Sequence, residues 1–139
     1  MNLPLSGLSD TVDSAELVAR FLMSSSWFAR TRGRVKHQAF LPAPDNDTSV
    51  FRTNHERVPT LWAIGSGELE NRNFYGVGVV EALVIRDNRL DLVATEPPAF
   101  HANIRGWPIH PDPDLQKSRR KMIAESIAEE AQLIEKPSD

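Results

Sequence analysis

The stretch Glu96–Asp114, EPPAFHANIRGWPIHPDPD, holds five of the chain's ten prolines in nineteen residues. Proline fixes φ, so Pro97 and Pro98 stiffen the exit from a strand, and the segment reads as a long irregular connection. It divides the chain into a β-rich part before it and a helix after it. The side chains that decorate it are polar and specific: His101, Asn103, Arg105 and Trp107. With alternating orientation, His101, Asn103 and Arg105 project together, while the Trp107 ring anchors the connection to a core.

Asp112 has the position of an N-cap and Pro113 that of the first helical residue. Leu115, Met122, Ile123, Ile127, Ala131 and Ile134 then predict an apolar stripe about 20 residues long. The helix carries Lys117-Ser118-Arg119-Arg120-Lys121 and an acidic end at Glu125, Glu129 and Glu130. Acid there opposes the helix dipole, so the pattern reads as a solvated face, with a protein-binding helix as the alternative.

Before the connection, YGVGVVEALVIRDNRLDLVAT is the clearest β signal. Two β-branched runs flank Asp87-Asn88, which predicts a hairpin over residues 77–95. Gly76 and Gly78 echo a nucleotide-binding glycine motif only faintly; inside a β run they accommodate bulges or close packing. VPTLWAIG predicts a short helix with Pro59 in its first turn and Gly65 as its stop. At the other end of the chain, Asp13 and Glu16 have capping-box spacing, and Leu17, Val18, Phe21 and Leu22 follow at helical intervals. A helix of about 13 residues is expected there, ended by Ser24-Ser25-Ser26. The fold expected is α+β, an antiparallel sheet packed by an N-terminal and a C-terminal helix, in a single domain over residues 1–139.

The net charge of −3 hides an asymmetry, because residues 30–57 sum to about +3 while every other segment is acidic. In ARTRGRVKHQAFLP the alternation places Arg30, Arg32, Arg34 and Lys36 on one face of a strand. TSVFRT reads as its hairpin partner across PAPDND, and Arg52 extends the patch. Guanidinium groups match phosphate oxygens, which suggests an anionic ligand such as a nucleotide or nucleic acid; the bland alternative is an edge strand protected by charge.

No cysteine is present, which excludes disulfides, thiol catalysis and thiolate metal sites. The four histidines, His37, His55, His101 and His110, lack zinc-binding spacing, so no metal and no cofactor is expected. No apolar run approaches a membrane span, and the expected location is the cytoplasm.

The segments AFLPAPDNDTSVFRT and EPPAFHANIRGWP together resemble a group of short, functionally uncharacterised bacterial proteins, over roughly residues 30–108. The resemblance implies no activity and no site residues, only that the connection is a shared feature. The residues lead to a small non-catalytic binding or accessory protein, with an anionic ligand or a protein as partner. Its recognition surface would be the Arg-rich strand and the His101–Trp107 segment. The alternatives are a metal-independent enzyme acting on a phosphodiester or nucleotide, with His101 and His37 as acid and base, and a purely protein-binding module.

Overall fold

Leu17–Phe21 is a strand, β1, where helical spacing predicted a helix. The computed structural model describes residues 6–53, 58–68 and 73–137. The capping contacts themselves do form: the Asp13 N–H donates to Glu16 Oε2 at 2.6 Å and the Ala15 N–H to Asp13 Oδ1 at 2.8 Å. They close a single turn, after which the chain extends. Burial explains the outcome. Val18 and Leu22 enter one hydrophobic cluster while Ala19 and Phe21 enter another, on the opposite face. A strand lends apolar side chains to two layers at once, whereas a helix would present one stripe.

The remaining elements follow in chain order. Phe28–Ala29 (β2) and Arg34–Val35 (β3) form a small separate hairpin. Thr48–Thr53 (β4) is the strand expected from TSVFRT. Val58–Glu68 (α1) leads to Gly76–Glu81 (β5), Ala82–Asp87 (α2), Asp91–Ala94 (β6) and His101–Arg105 (β7). Pro113–Glu130 (α3) and Gln132–Glu135 (β8) complete the fold. Six strands make one sheet in the order β6-β7-β4-β1-β5-β8, antiparallel at every pairing. The fold is thus α+β around an antiparallel sheet, with a helix near its C-terminal end. No helix among the described residues is long and apolar enough to cross a membrane.

The 77–95 hairpin does not form. β5 turns into α2, which buries Ala82 and Ile85 one helical turn apart. Asn88 caps that helix, its Nδ2 donating to the Val84 carbonyl at 2.8 Å, and the positive φ falls on Arg89. Arg86 locks α2 against the N-terminal segment through Ser14 Oγ at 2.8 Å and the Val12 carbonyl. β6 consequently pairs with β7 and lies four strands from β5.

α3 begins as the sequence predicts: Asp112 Oδ1 accepts from the Asp114 N–H at 2.9 Å, with Pro113 in the first turn. It stops at Glu130, so Ile134 belongs to β8 rather than to a helical stripe. Its buried face is Ala124, Ile127 and Ala128, while Leu115 and Met122 are exposed at 44% and 68%.

α1 runs past Gly65, which is not a stop. A Cβ at Gly65 would lie 2.6 Å from Phe74 Cζ and 2.9 Å from Phe21 Cε1. Those rings meet edge-to-face at 5.0 Å, so neither has room to give. In an exposed helix Gly→Ala gains up to about 1 kcal/mol. Gly65→Ala should instead destabilise by about 1–3 kcal/mol through overpacking, read as a lower urea midpoint at unchanged m-value.

Candidate functional site

Alternation along the strands sorts residues between the two faces of the sheet. On β4, Val50 belongs to the cluster beneath α3 while Phe51 belongs to the one beneath α1. On β7, Ala102 and Ile104 are buried with Val50, so His101, Asn103 and Arg105 share the other face. α1 covers the β1–β5 side of that face through Leu61. Towards β6 and β7 it is partly open, with Val93 and Arg105 exposed and Ser49, His101 and Asn103 half-buried.

The register brings β4 and β7 side chains together. Ser49 lies opposite Asn103, and Phe51 opposite His101. Ser49 Oγ is 2.6 Å from His101 Nε2, and on the far side of the ring Nδ1 is 2.7 Å from Thr95 Oγ1 and 3.3 Å from the Thr95 carbonyl. A carbonyl only accepts, so the ring nitrogen facing it is the donor. In the neutral imidazole Nε2 is then the acceptor for the Ser49 hydroxyl. The Phe51 and His101 rings meet edge-to-face, their centroids 5.3 Å apart, which packs the imidazole in place.

The proline-rich stretch makes this possible. It is not an irregular connection throughout, since His101–Arg105 is a strand. Glu96 Oε2 accepts from the Phe100 N–H at 2.7 Å, and the His101 N–H donates to the Pro98 carbonyl at 3.1 Å. The chain thereby doubles back, and the Thr95 N–H donates to the His101 carbonyl at 3.0 Å. Partial burial by itself pushes the Glu96 carboxyl up. Hydrogen bonds from Ser6 and Phe100, with the charge of Arg52, outweigh it and hold the group below its usual range.

Beside Ser49 is a cleft of about 280 Å³. Phe21, Met23, Trp27 and Phe51 supply apolar walls, and Ser49, Asn103, Asp45, Asp47 and Arg20 the polar ones. Arg20 braces it, donating to the Ala39 carbonyl at 2.8 Å and the Ser49 carbonyl at 2.9 Å beneath the Trp27 ring. Asp47 accepts from Arg105 Nε at 3.1 Å, so Arg105 is held by Asp47 and does not stand beside His101. The Asn103 amide makes no hydrogen bond among the described residues.

The basic segment is rearranged. Arg30–Arg32 is a 3-10 turn closed by Gly33 at φ 62, so the four cations do not share one strand face, nor does the segment pair with β4. Arg30 pairs with Glu135 at 2.5 Å. Arg32, Arg34, Lys36 and His37 line a second cavity of about 200 Å³, with Glu125 and Glu129 of α3. Arg52 is not part of any patch: it is 3% exposed and bonds Glu16 at 2.9 Å and the Ser9 carbonyl at 2.5 Å. It shares the core-facing parity of Val50. His37 packs on the α3 side of the sheet and His101 projects from the opposite face, so these two histidines do not converge. His55 lies outside the described residues.

Sequence reasoning missed Ser49, Thr95, Arg20 and Trp27. Period-2 alternation places Ser49 with Phe51, and His101 with Asn103, but only the register shows that the two pairs meet. No protein-family model, no curated protein and no solved structure matches this chain.

Trp107 is 3% exposed within the core cluster and is not part of a recognition surface. Its Nε1 is buried without a hydrogen-bond partner among the described residues. Trp107→Ala should cost about 3–5 kcal/mol of stability. Trp107→Phe should cost clearly less, because it also removes the orphaned donor, and chemical denaturation of both variants checks the difference.

Proposed function

We propose that the protein binds a small, partly aromatic ligand in the cleft over β4 and β7. The observation that supports this most is the pairing of Ser49 with Asn103 at the floor of a cleft walled by Phe21, Phe51 and Trp27. Aromatic walls with a few convergent polar groups are the usual make-up of a small-molecule site. Burial of a ring against Trp27 and Phe51 supplies affinity, and the Asn103 amide, which can both donate and accept, fixes orientation.

The charges choose among ligands. Arg20 is committed to two backbone carbonyls, while Asp45 and Asp47 carry the carboxylates of the rim. A neutral or cationic ligand is therefore favoured over an anion. This reading keeps the binding role expected from the composition but moves it away from the arginines. In amide-resolved NMR titrations, benzylamine and benzyl alcohol should shift residues 47–51 and 101–103, with benzoate weaker than either. Trp27→Ala should reduce affinity about tenfold, the loss of roughly one aromatic contact. Preference for benzoate, or shifts confined to other residues, would reject the reading.

A second reading rests on the convergence of Arg32, Arg34, Lys36 and His37 on the smaller cavity. It suits a phosphate-bearing ligand, although Glu125 and Glu129 on the facing wall offset part of the charge. Arg32→Ala with Arg34→Ala should weaken binding of a short oligonucleotide and flatten its salt dependence, since fewer counterions are released. Salt-insensitive binding, or none, would remove this second site.

A further inference from the structure

We infer that Ser49 is a nucleophile activated by His101, and that the cleft takes a small carboxylic ester and hydrolyses it through an acyl-Ser49 intermediate. The inference rests on the cleft being a ligand site and adds chemistry to it. Its basis is the chain Ser49 Oγ–His101 Nε2 at 2.6 Å and His101 Nδ1–Thr95 Oγ1 at 2.7 Å, with the Thr95 carbonyl at 3.3 Å. A nucleophile within hydrogen-bond reach of a base, and a base oriented by a third group, is the arrangement that acyl transfer requires. The tautomer is the productive one, because Nδ1–H faces Thr95 and the Nε2 lone pair faces the serine hydroxyl.

A structural serine on a strand needs only one hydrogen bond, which any neighbour could supply. Three further features set this one apart. Ser49 lines a cleft with room for a substrate. Asn103 is directly opposite Ser49 in the register, lines the same cleft, and leaves its amide uncommitted among the described residues. Side chains directly opposite in an antiparallel pair have Cβ atoms about 4.5–5.5 Å apart, which places the Nδ2 donor within reach of an oxygen developing next to Oγ. Finally, Phe51, which lines the cleft, meets the His101 ring edge-to-face and packs the base directly behind Ser49.

The reaction balances with water as the only co-reactant. Ser49 Oγ attacks the ester carbonyl carbon as its proton passes to His101 Nε2, and the oxyanion accepts from Asn103 Nδ2. The intermediate collapses, the C–O bond to the alcohol breaks, and the imidazolium returns the proton to the departing alkoxide. Water, deprotonated by the same nitrogen, then attacks the acyl carbon; the acyl C–Oγ bond breaks, the imidazolium returns that proton to Oγ, and the acid leaves. Phe21, Phe51 and Trp27 suit an aromatic or short alkyl group on the ester. The rim carboxylates of Asp45 and Asp47 disfavour a substrate that is already anionic. Thr95 is a positioning residue, since it acts through His101.

The test uses the full chain, an alkyl fluorophosphonate as covalent probe, and 4-nitrophenyl butyrate as substrate. The probe should add once, at Ser49 by peptide mapping. Ester turnover should fall on the order of 100-fold in His101→Gln and about 100-fold in Asn103→Ala. Thr95→Val should lower kcat with KM nearly unchanged, which a purely structural role would not produce. Labelling of wild type at another residue, or none, overturns the inference, and so does equal labelling speed in His101→Gln. Mapping on wild type decides the point even if Ser49→Ala fails to fold. Benzylamine binding without labelling leaves the cleft reading standing and removes the nucleophile. Labelling at Ser49 without fragment binding does the reverse.

Discussion

The sheet depends on β1 having a hydrogen-bonded strand on both sides. Leu17–Phe21 pairs with β5 over all five residues and with β4 over three. Remove it and the sheet separates into β6-β7-β4 and β5-β8, neither of which carries a complete core. Every buried backbone N–H and C=O needs a partner, so a central strand is held from both edges once its neighbours are in place. The same strand supplies Val18 to one hydrophobic cluster and Ala19 and Phe21 to the other. It is therefore where the two layers are joined.

β4, beside it, carries core and site on alternate residues. Thr48, Val50 and Arg52 point one way: Thr48 Oγ1 donates to the Phe40 carbonyl at 2.9 Å, and Arg52 is buried against Glu16. Arg52 also donates to the Ser9 and Thr11 carbonyls, so one guanidinium ties the N-terminal segment to the sheet. A buried charge is tolerable only when its donors are satisfied, and that commitment takes Arg52 out of any ligand surface. Ser49 and Phe51 point the other way, into the cleft. The rigidity that the core imposes on β4 is thus inherited by Ser49, as a positioned reactive or binding group requires.

The proline-rich stretch works through the turn that precedes its strand. Glu96 and the Pro98 carbonyl close that turn, which returns the chain so that His101 faces Thr95. The strand that follows then faces β4, and Trp107 fastens its far end in the core. The segments AFLPAPDNDTSVFRT and EPPAFHANIRGWP contain β4 and β7, which are neighbours in the sheet. The polar residues of the cleft are gathered from these two strands, from β1 through Arg20, and from the loop before β4.

What the sequence determined by itself are features that need only near neighbours. Asp112 and Pro113 start α3 because a carboxylate can cap the amides two and three residues on and proline has the helical φ already. TSVFRT is a strand, and alternation alone puts His101, Asn103 and Arg105 on one side of another. Tertiary structure decided the rest. The runs after Glu16 and after Glu81 fit both a helical and an extended period, and each took the form that its neighbours could bury and pair: extended for β1, helical for α2. The Arg30–Lys36 alternation was lost because Gly33 adopts φ 62 and closes a hairpin instead of extending a strand. That Ser49 meets His101 was not legible either, since alternation gives the face of a residue but not its partner. The partner is set by register, which depends on where two strands find complementary hydrogen bonds and a common core, here between residues 52 positions apart.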